Sequence, residues 1–303
     1  MQSNGTLLNR ERVEWLRAND VTIGLSLDGE PWAQNQSRPM LGGGASYAAL
    51  MRGVDLLRAA GLQFGALVVL NRSNVRSAES LCRWLAGQGI RSIKLNPVAF
   101  LGTARTNWDA TGLSQEEVVG YFRELVDLLA SGSYPLLEAN LHTMLQHLVS
   151  KRRTTRCLRG HCGAGDTFQA VSAAGTIYPC GRSTQSPGLA LGTVTDPSLR
   201  SLSQPAAGNR HILQIRSRRP ETLEGCSSCE YREFCQAGCS AQAYERYGTV
   251  RHRTPECHFY KTMYPELMHR LTFDETAFRS FSQLGYLGAG GRRHDQRLLV
   301  GTR

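Results

Sequence analysis

The sequence predicts an α/β protein in two parts. A first half alternates strands and helices as a parallel sheet does, and a second half is organised by cysteines that bind metal. Three observations carry this. Apolar runs near 21–26, 64–70 and 90–98 are separated by helix-length amphipathic stretches, the pattern of βα units. Three such strands fall short of a closed eight-stranded barrel, so the sheet is open or incomplete. Eight of the nine cysteines lie beyond residue 150, and the last five read C-x2-C-x5-C-x3-C and then a distant C.

The elements follow in order. Asn9 can cap a helix, with Leu8 and Val13 placed as a hydrophobic staple. Val21, Ile23 and Leu25 alternate through a strand ending at Ser26, and a Gly- and Pro-rich loop runs to Gly44. Ser46 is positioned to cap a helix with the face Tyr47, Leu50, Val54 and Leu57, which Gly61 stops. Phe64 to Leu70 is nearly all apolar, as in a strand buried on both faces. A helix near 77–86 and a strand near 90–98 come next. Ser114 and Glu117 form a capping box for a helix with the face Val118, Phe122, Leu125 and Leu129. Beyond 150, Phe168–Ser172 and Thr176–Tyr178 read as a hairpin turned at Gly175, and a helix returns near 260–271. Residues 285–303 read as a mobile tail.

The chain has 303 residues, 41% of them hydrophobic, enough for one or two cored domains. Residues 1–20 carry charges and no apolar h-region, and no apolar run approaches the ~18 residues of a membrane span. The expectation is a cytoplasmic protein with no membrane partner. In a reducing cytosol, C-x2-C pairs serve as metal ligands more often than as disulfides. Four thiolates complete one [4Fe–4S] cluster or one zinc site, and spacing alone permits both. Cys82 sits in a predicted helix beside Leu81 and Leu85 and reads as a small core hydrophobe.

The formal charge is +10. It gathers at Lys151, Arg152, Arg153, Arg156 and Arg159, at Arg210, Arg216, Arg218 and Arg219, and at Arg292, Arg293, Arg297 and Arg303. These groups read as solvated surface, or as a groove for an acidic peptide. No nucleic-acid motif accompanies them, so no nucleic-acid partner is expected.

Taken together, these residues resemble the radical SAM enzymes that carry a SPASM domain. That family includes anaerobic sulfatase-maturating enzymes and maturases of ribosomally made peptides. Gln2-Ser3-Asn4-Gly5-Thr6-Leu7-Leu8 looks like the family's QTNGTLL segment, and Ser26-Leu27-Asp28-Gly29 like its SLDG segment. The resemblance implies a partial (β/α)6 barrel lacking its first strands over residues 1–150, a SPASM domain over 151–270 and a partly disordered tail over 271–303. It implies that Ser26 contacts the ribose of S-adenosylmethionine (SAM) and that Arg38 contacts its carboxylate, for which a planar bidentate donor is suited. It implies that Cys157, Cys162, Cys180 and Cys239 hold auxiliary [4Fe–4S] cluster I, and that Cys226, Cys229, Cys235 and Cys257 hold cluster II.

Two departures accompany the resemblance. The family's C-x3-C-x2-C motif, which holds the third, SAM-binding [4Fe–4S] cluster, does not occur in the sequence. The expectation is an N-terminally incomplete chain that is inactive alone. Sulfatase-maturating enzymes place an aspartate after the cysteine corresponding to Cys180, whereas this chain has Gly181. The expected activity is therefore crosslinking of a ribosomally made peptide after hydrogen abstraction, with a peptide or protein substrate and a reductant such as ferredoxin or flavodoxin. The alternatives are a cluster-bearing peptide-binding scaffold without activity, a sulfatase-maturating type of enzyme, and a zinc module on an α/β domain.

Overall fold

The computed structural model of the chain describes residues 1–150, 157, 162–195 and 210–287. The basic groups at 151–159 and 292–303 lie outside the described residues. The chain divides into two compact units. The first takes residues 1–98, 116–145 and the chain from 266 onward, and the second takes 99–115 and 146–265.

The first unit holds a five-stranded sheet: β1 (Gln2–Ser3), β2 (Ile23–Ser26), β3 (Phe64–Leu70), β4 (Ser92–Pro97) and β5 (Leu137–Glu138). Its spatial order is the chain order, and every neighbouring pair is parallel. Parallel neighbours require crossovers, and each crossover here contains helix. Helix α1 (Arg10–Ala18) starts where Asn9 accepts a hydrogen bond from the Arg12 amide at 2.9 Å, and it buries Val13 and Leu16. The Gly- and Pro-rich stretch contains a helix the sequence did not announce, α2 (Pro31–Ser37), with Pro31 at its first position. Helix α3 (Tyr47–Ala59) is not capped by Ser46. Its Tyr47 amide donates to Asn35 Oδ1 at 2.9 Å, so α2 supplies the acceptor. Helix α4 (Ala78–Gly87) is capped by Ser77, and α5 (Gln115–Ala130) buries Val118, Phe122, Leu125 and Leu129.

The core joins Leu25, Val68, Leu70, Ile93 and Leu95 of the strands to Leu50, Leu57, Leu85, Phe122 and Leu129 of the helices, each at most 1% exposed. Each such burial contributes about 1.5–3 kcal/mol. Along β3, Ala66, Val68 and Leu70 are buried while Leu67 and Val69 are only partly covered. The expectation of burial on both faces is therefore met on one. Cys82 is fully buried, and burial, with Glu124 and Glu79 nearby, pushes its thiol up to about 12. The β1 end of the sheet depends on a close approach: a methyl on Gly53 of α3 would stand 2.4 Å from the Gly5 carbonyl.

Helix α6 (Ala139–Ser150) leads into the second unit. There β6 (Ala170–Val171), β7 (Thr176–Tyr178) and β8 (Gly192–Thr193) form an antiparallel sheet. The β6–β7 hairpin turns at Gly175 with φ +77°, as its sequence predicts. Helices α7 (Arg210–Ser217) and α8 (Ser240–Tyr247) follow, where the sequence shows little periodicity. Apolar clusters here are small and include cysteines. Ala164, Leu189, Ile215 and Val250 pack with Cys162 and Cys180, and Leu223 and Ala237 pack with Cys226.

Helix α9 (Cys257–Phe273) carries the chain back to the first unit, where α10 (Glu275–Gln283) is capped by Asp274. The Ser280 hydroxyl donates to the Leu129 carbonyl. Tyr286 is fully buried, and its hydroxyl accepts from the Glu138 amide at 2.7 Å and donates to the Leu136 carbonyl at 3.2 Å. Residues 275–287, within the stretch read from sequence as a tail, thus hold α10 and the Tyr286 side chain that bonds strand β5. Among the described residues, no helix is long and apolar enough to cross a membrane.

Candidate functional site

Ligands of parallel α/β sheets bind beyond the carboxyl ends of the strands. Ser26 ends β2 there, and its hydroxyl accepts from Gln2 Nε2 at 3.1 Å. The Leu27 amide continues the ladder to the Leu67 carbonyl. One step further, a side chain takes over from the backbone: Asp28 Oδ1 accepts from the Val69 amide at 2.8 Å. Arg38, at the C-terminus of α2, grips the same carboxylate through Nε to Oδ2 at 2.8 Å and Nη2 to Oδ1 at 3.2 Å. Asp28 is 2% exposed. Burial pushes its pKa up, and the Arg38 guanidinium and the Val69 amide oppose that rise. Ser26 and Arg38 are therefore each engaged with another side chain, Gln2 and Asp28.

Sequence reasoning passed over the residues that join them. Asp28 and Gln34 form one link: the Asp28 amide donates to Gln34 Oε1 at 2.8 Å. The stretch Asn71-Arg72-Ser73-Asn74 after β3 forms another. Asn74 Nδ2 donates to the Val69 and Asp28 carbonyls, and Asn71 Nδ2 donates to Ser37 Oγ at 3.1 Å. The available signal was two asparagines and a serine directly after an apolar strand, residue types whose side chains bond nearby backbone and shape turns.

In the second unit the cysteines separate into two neighbourhoods. Cys157 has an exposed surface, yet its thiol is pushed up to about 11. The causes are first the atoms packed around it and then Cys162, Cys239 and Cys180, and its exposure moderates the first. Cys239 is pushed up by burial, against Arg182, with Cys180 and Cys162 nearby. Cys235 is pushed up to about 12 by burial and then by Cys226, Cys229 and Cys257. Those four cysteines line a single pocket, together with Arg253, Tyr260 and Lys261. Cys157, Cys162, Cys180 and Cys239 thus neighbour one another, as do Cys226, Cys229, Cys235 and Cys257.

The donor chemistry suits an all-thiolate centre. Sulfurs in the first neighbourhood have hydroxyl neighbours: Ser240 Oγ lies 3.5 Å from Cys162 Sγ, and Ser183 Oγ donates to Cys180 Sγ at 3.5 Å. Such contacts, and the burial of the sulfurs, tune iron–sulfur centres. Among the described residues, no three His, Cys, Asp or Glu side chains converge tightly enough to share a single metal ion. In a four-iron cluster each thiolate binds its own iron, so its ligands stand further apart than those of one ion.

No protein-family model matches the chain. It is 27% identical over 263 residues to an uncharacterised protein of Archaeoglobus fulgidus, covering 87% of this chain and 61% of that one. It is 25% identical over 268 residues to the AdoMet-dependent heme synthase of Methanosarcina barkeri (85% and 73%). It is also 25% identical over 245 residues to the serine-type anaerobic sulfatase-maturating enzyme of Klebsiella aerogenes (80% and 57%). The chain thus spans about three fifths of the length of the first and third of these relatives. Native anSMEcpe with bound AdoMet and Cp18Cys peptide superposes with a TM-score of 0.74 at 17% identity, over 88% of this chain and 74% of that one. Streptococcus suis SuiB bound to precursor peptide SuiA gives 0.60 at 14% identity, over 84% and 58%. The chain shares its fold with these structures.

Proposed function

We propose that this chain acts as part of a radical SAM maturase that modifies a peptide or protein, with two [4Fe–4S] clusters in its second unit. One observation carries the reading. Eight cysteines form two four-thiol neighbourhoods in a chain whose fold matches structures holding AdoMet and peptide. SAM would supply a hydrogen-abstracting radical once an electron from a SAM-binding [4Fe–4S] cluster cleaved it, and the C-x3-C-x2-C motif for that cluster does not occur in this sequence. The chain's own part is to bind and orient. Arg38 has five N–H donors, and Asp28 engages only Nε and Nη2. Donors therefore remain for the SAM carboxylate, while the buried Asp28 fixes the guanidinium plane. Ser26 stands at the strand end where a ribose hydroxyl would be met. Cys157, Cys162, Cys180 and Cys239 would hold one cluster, and Cys226, Cys229, Cys235 and Cys257 the other. With four thiolates each, neither has an open coordination position, and electron transfer with a reductant such as ferredoxin or flavodoxin is the simpler role.

Two readings share this support. Crosslinking of a ribosomally made peptide is favoured by Gly181, which stands where the sulfatase-maturating family has its aspartate, and by the match to SuiB. Sulfatase maturation is supported by the Klebsiella relative and the anSMEcpe structures. The test is anaerobic reconstitution followed by iron and sulfide counting, then equilibrium dialysis with SAM. About eight irons and eight sulfides per chain are expected. Stoichiometric zinc without sulfide would sink the proposal. Binding of a precursor peptide in preference to a sulfatase-derived Ser or Cys peptide selects between the two readings.

A further inference from the structure

The basic group at 210–219 contains one residue that is not surface. Arg216 pairs with Asp166. Arg218, just past the end of α7, is 4% exposed. Its Nη1 donates to the Gly238 carbonyl at 2.9 Å, and its Nη2 donates to the Ala237 carbonyl at 2.6 Å and the His252 carbonyl at 2.8 Å. Ala237 and Gly238 are two of the three residues between Cys235 of one set and Cys239 of the other. The guanidinium is therefore clamped to the stretch of backbone that joins the two cysteine neighbourhoods. Its Nε is buried with no hydrogen-bond partner.

Burial opposes the charge of Arg218, and the groups that favour it are Cys162 and Cys239 of the first set and Cys226 and Cys235 of the second. Among the described residues, no carboxylate forms an ion pair with Arg218. A buried guanidinium without a counter-charge costs several kcal/mol. Three carbonyls satisfy its donors in part but carry no net charge, and neither do protonated thiols. Two clusters, each with four thiolates, would be net anions on either side of this cation, and each becomes more anionic on reduction. A fixed positive charge then stabilises the reduced form more than the oxidised one.

We propose that Arg218 is a charge-compensating and positioning residue shared by both cysteine sets, and that its guanidinium raises the reduction potential of the clusters they hold. This rests on the two-cluster reading above. The peptide clamp sets where the charge lies, and the charge sets the potential.

The experiment uses the full chain, reconstituted anaerobically, with iron and sulfide counted before an EPR-monitored redox titration. In Arg218→Gln at full iron content, both midpoint potentials fall, each by at least tenfold in the equilibrium constant, or about 59 mV for a one-electron couple. Arg218→Lys, which keeps the charge and loses the fork, recovers most of that shift. Arg216→Gln leaves both potentials unchanged. Unchanged potentials in a fully loaded Arg218→Gln overturn the inference, as does an Arg218→Lys shift equal to that of Arg218→Gln. Iron loss in Arg218→Gln that Arg218→Lys restores supports the role of charge. Iron loss in both variants overturns it and assigns the fork a purely structural role. Wild-type protein that takes up no iron and sulfide overturns the cluster reading itself, and this inference with it.

Discussion

Replacing Arg38 with methionine separates two roles for this residue, a ligand for a cofactor carboxylate and a partner for Asp28. The Asp28 carboxylate is 2% exposed and accepts from Arg38 twice and from the Val69 amide once. Removing one partner of a fully buried ion pair costs about 3–5 kcal/mol, because the other charge is left uncompensated. The Arg38 side chain is 28% exposed, so solvent screens part of the pair. A cost of about 2–3 kcal/mol is expected for Arg38→Met. The readout is amide hydrogen exchange in β3, where Val69 bonds to Asp28. That cost corresponds to exchange roughly 30- to 150-fold faster than wild type at the same pH. The pH dependence has a definite sign. Burial raises the folded-state pKa of Asp28 above 3.8, and losing Arg38, the first-named opposing group, raises it further. A raised carboxyl pKa contributes stability that is full below the unfolded value and is lost as pH rises through the folded one. The deficit of Arg38→Met therefore shrinks as pH falls from neutrality towards 3.8, the direction in which the raised Asp28 carboxyl takes up its proton. Arg38→Met combined with Asp28→Asn regains much of the protection, since no lone buried charge remains. Exchange unchanged by Arg38→Met at every pH would refute the structural pair and leave Arg38 to a ligand alone.

Three further outcomes are expected. Cys235→Ala loses the second cysteine set, so reconstituted iron drops from about eight to about four per chain, and retention of full iron would contradict the assigned ligands. Tyr286→Phe strips the acceptor of the Glu138 amide and the donor to Leu136; thermal unfolding should show a loss of about 1–3 kcal/mol, and an unshifted transition would mean that β5 does not depend on it. Burial lowers the pKa of His142 below 6.5, so its contribution to stability is present above that value and is lost as pH falls below it. Denaturation midpoints of wild type minus His142→Phe should fall across that window, and a flat difference argues against a neutral buried imidazole.

Much of this protein was legible in its sequence because the signals were local. The Asn9 cap and the apolar faces of α3 and α5 act within a few residues, so capping and periodicity located three helices directly. The order of the cysteines suggested metal ligation, and a family resemblance proposed how they divide into two sets of four. Short elements escaped. Strands β1 and β5 have two residues each, too few for alternation, and they exist because Gly53 admits the Gly5 loop and Tyr286 reaches back across 148 residues. The polar end of the sheet was equally hidden. Asp28 reads as a loop residue until β3 brings the Val69 amide to it and α2 brings Arg38. Arg218 reads as one surface charge among several, and only the packing of the second unit buries it. Local pattern determined most of the longer helices and strands. Tertiary structure alone decided which charges lose their water, because burial is set by residues far apart in the chain.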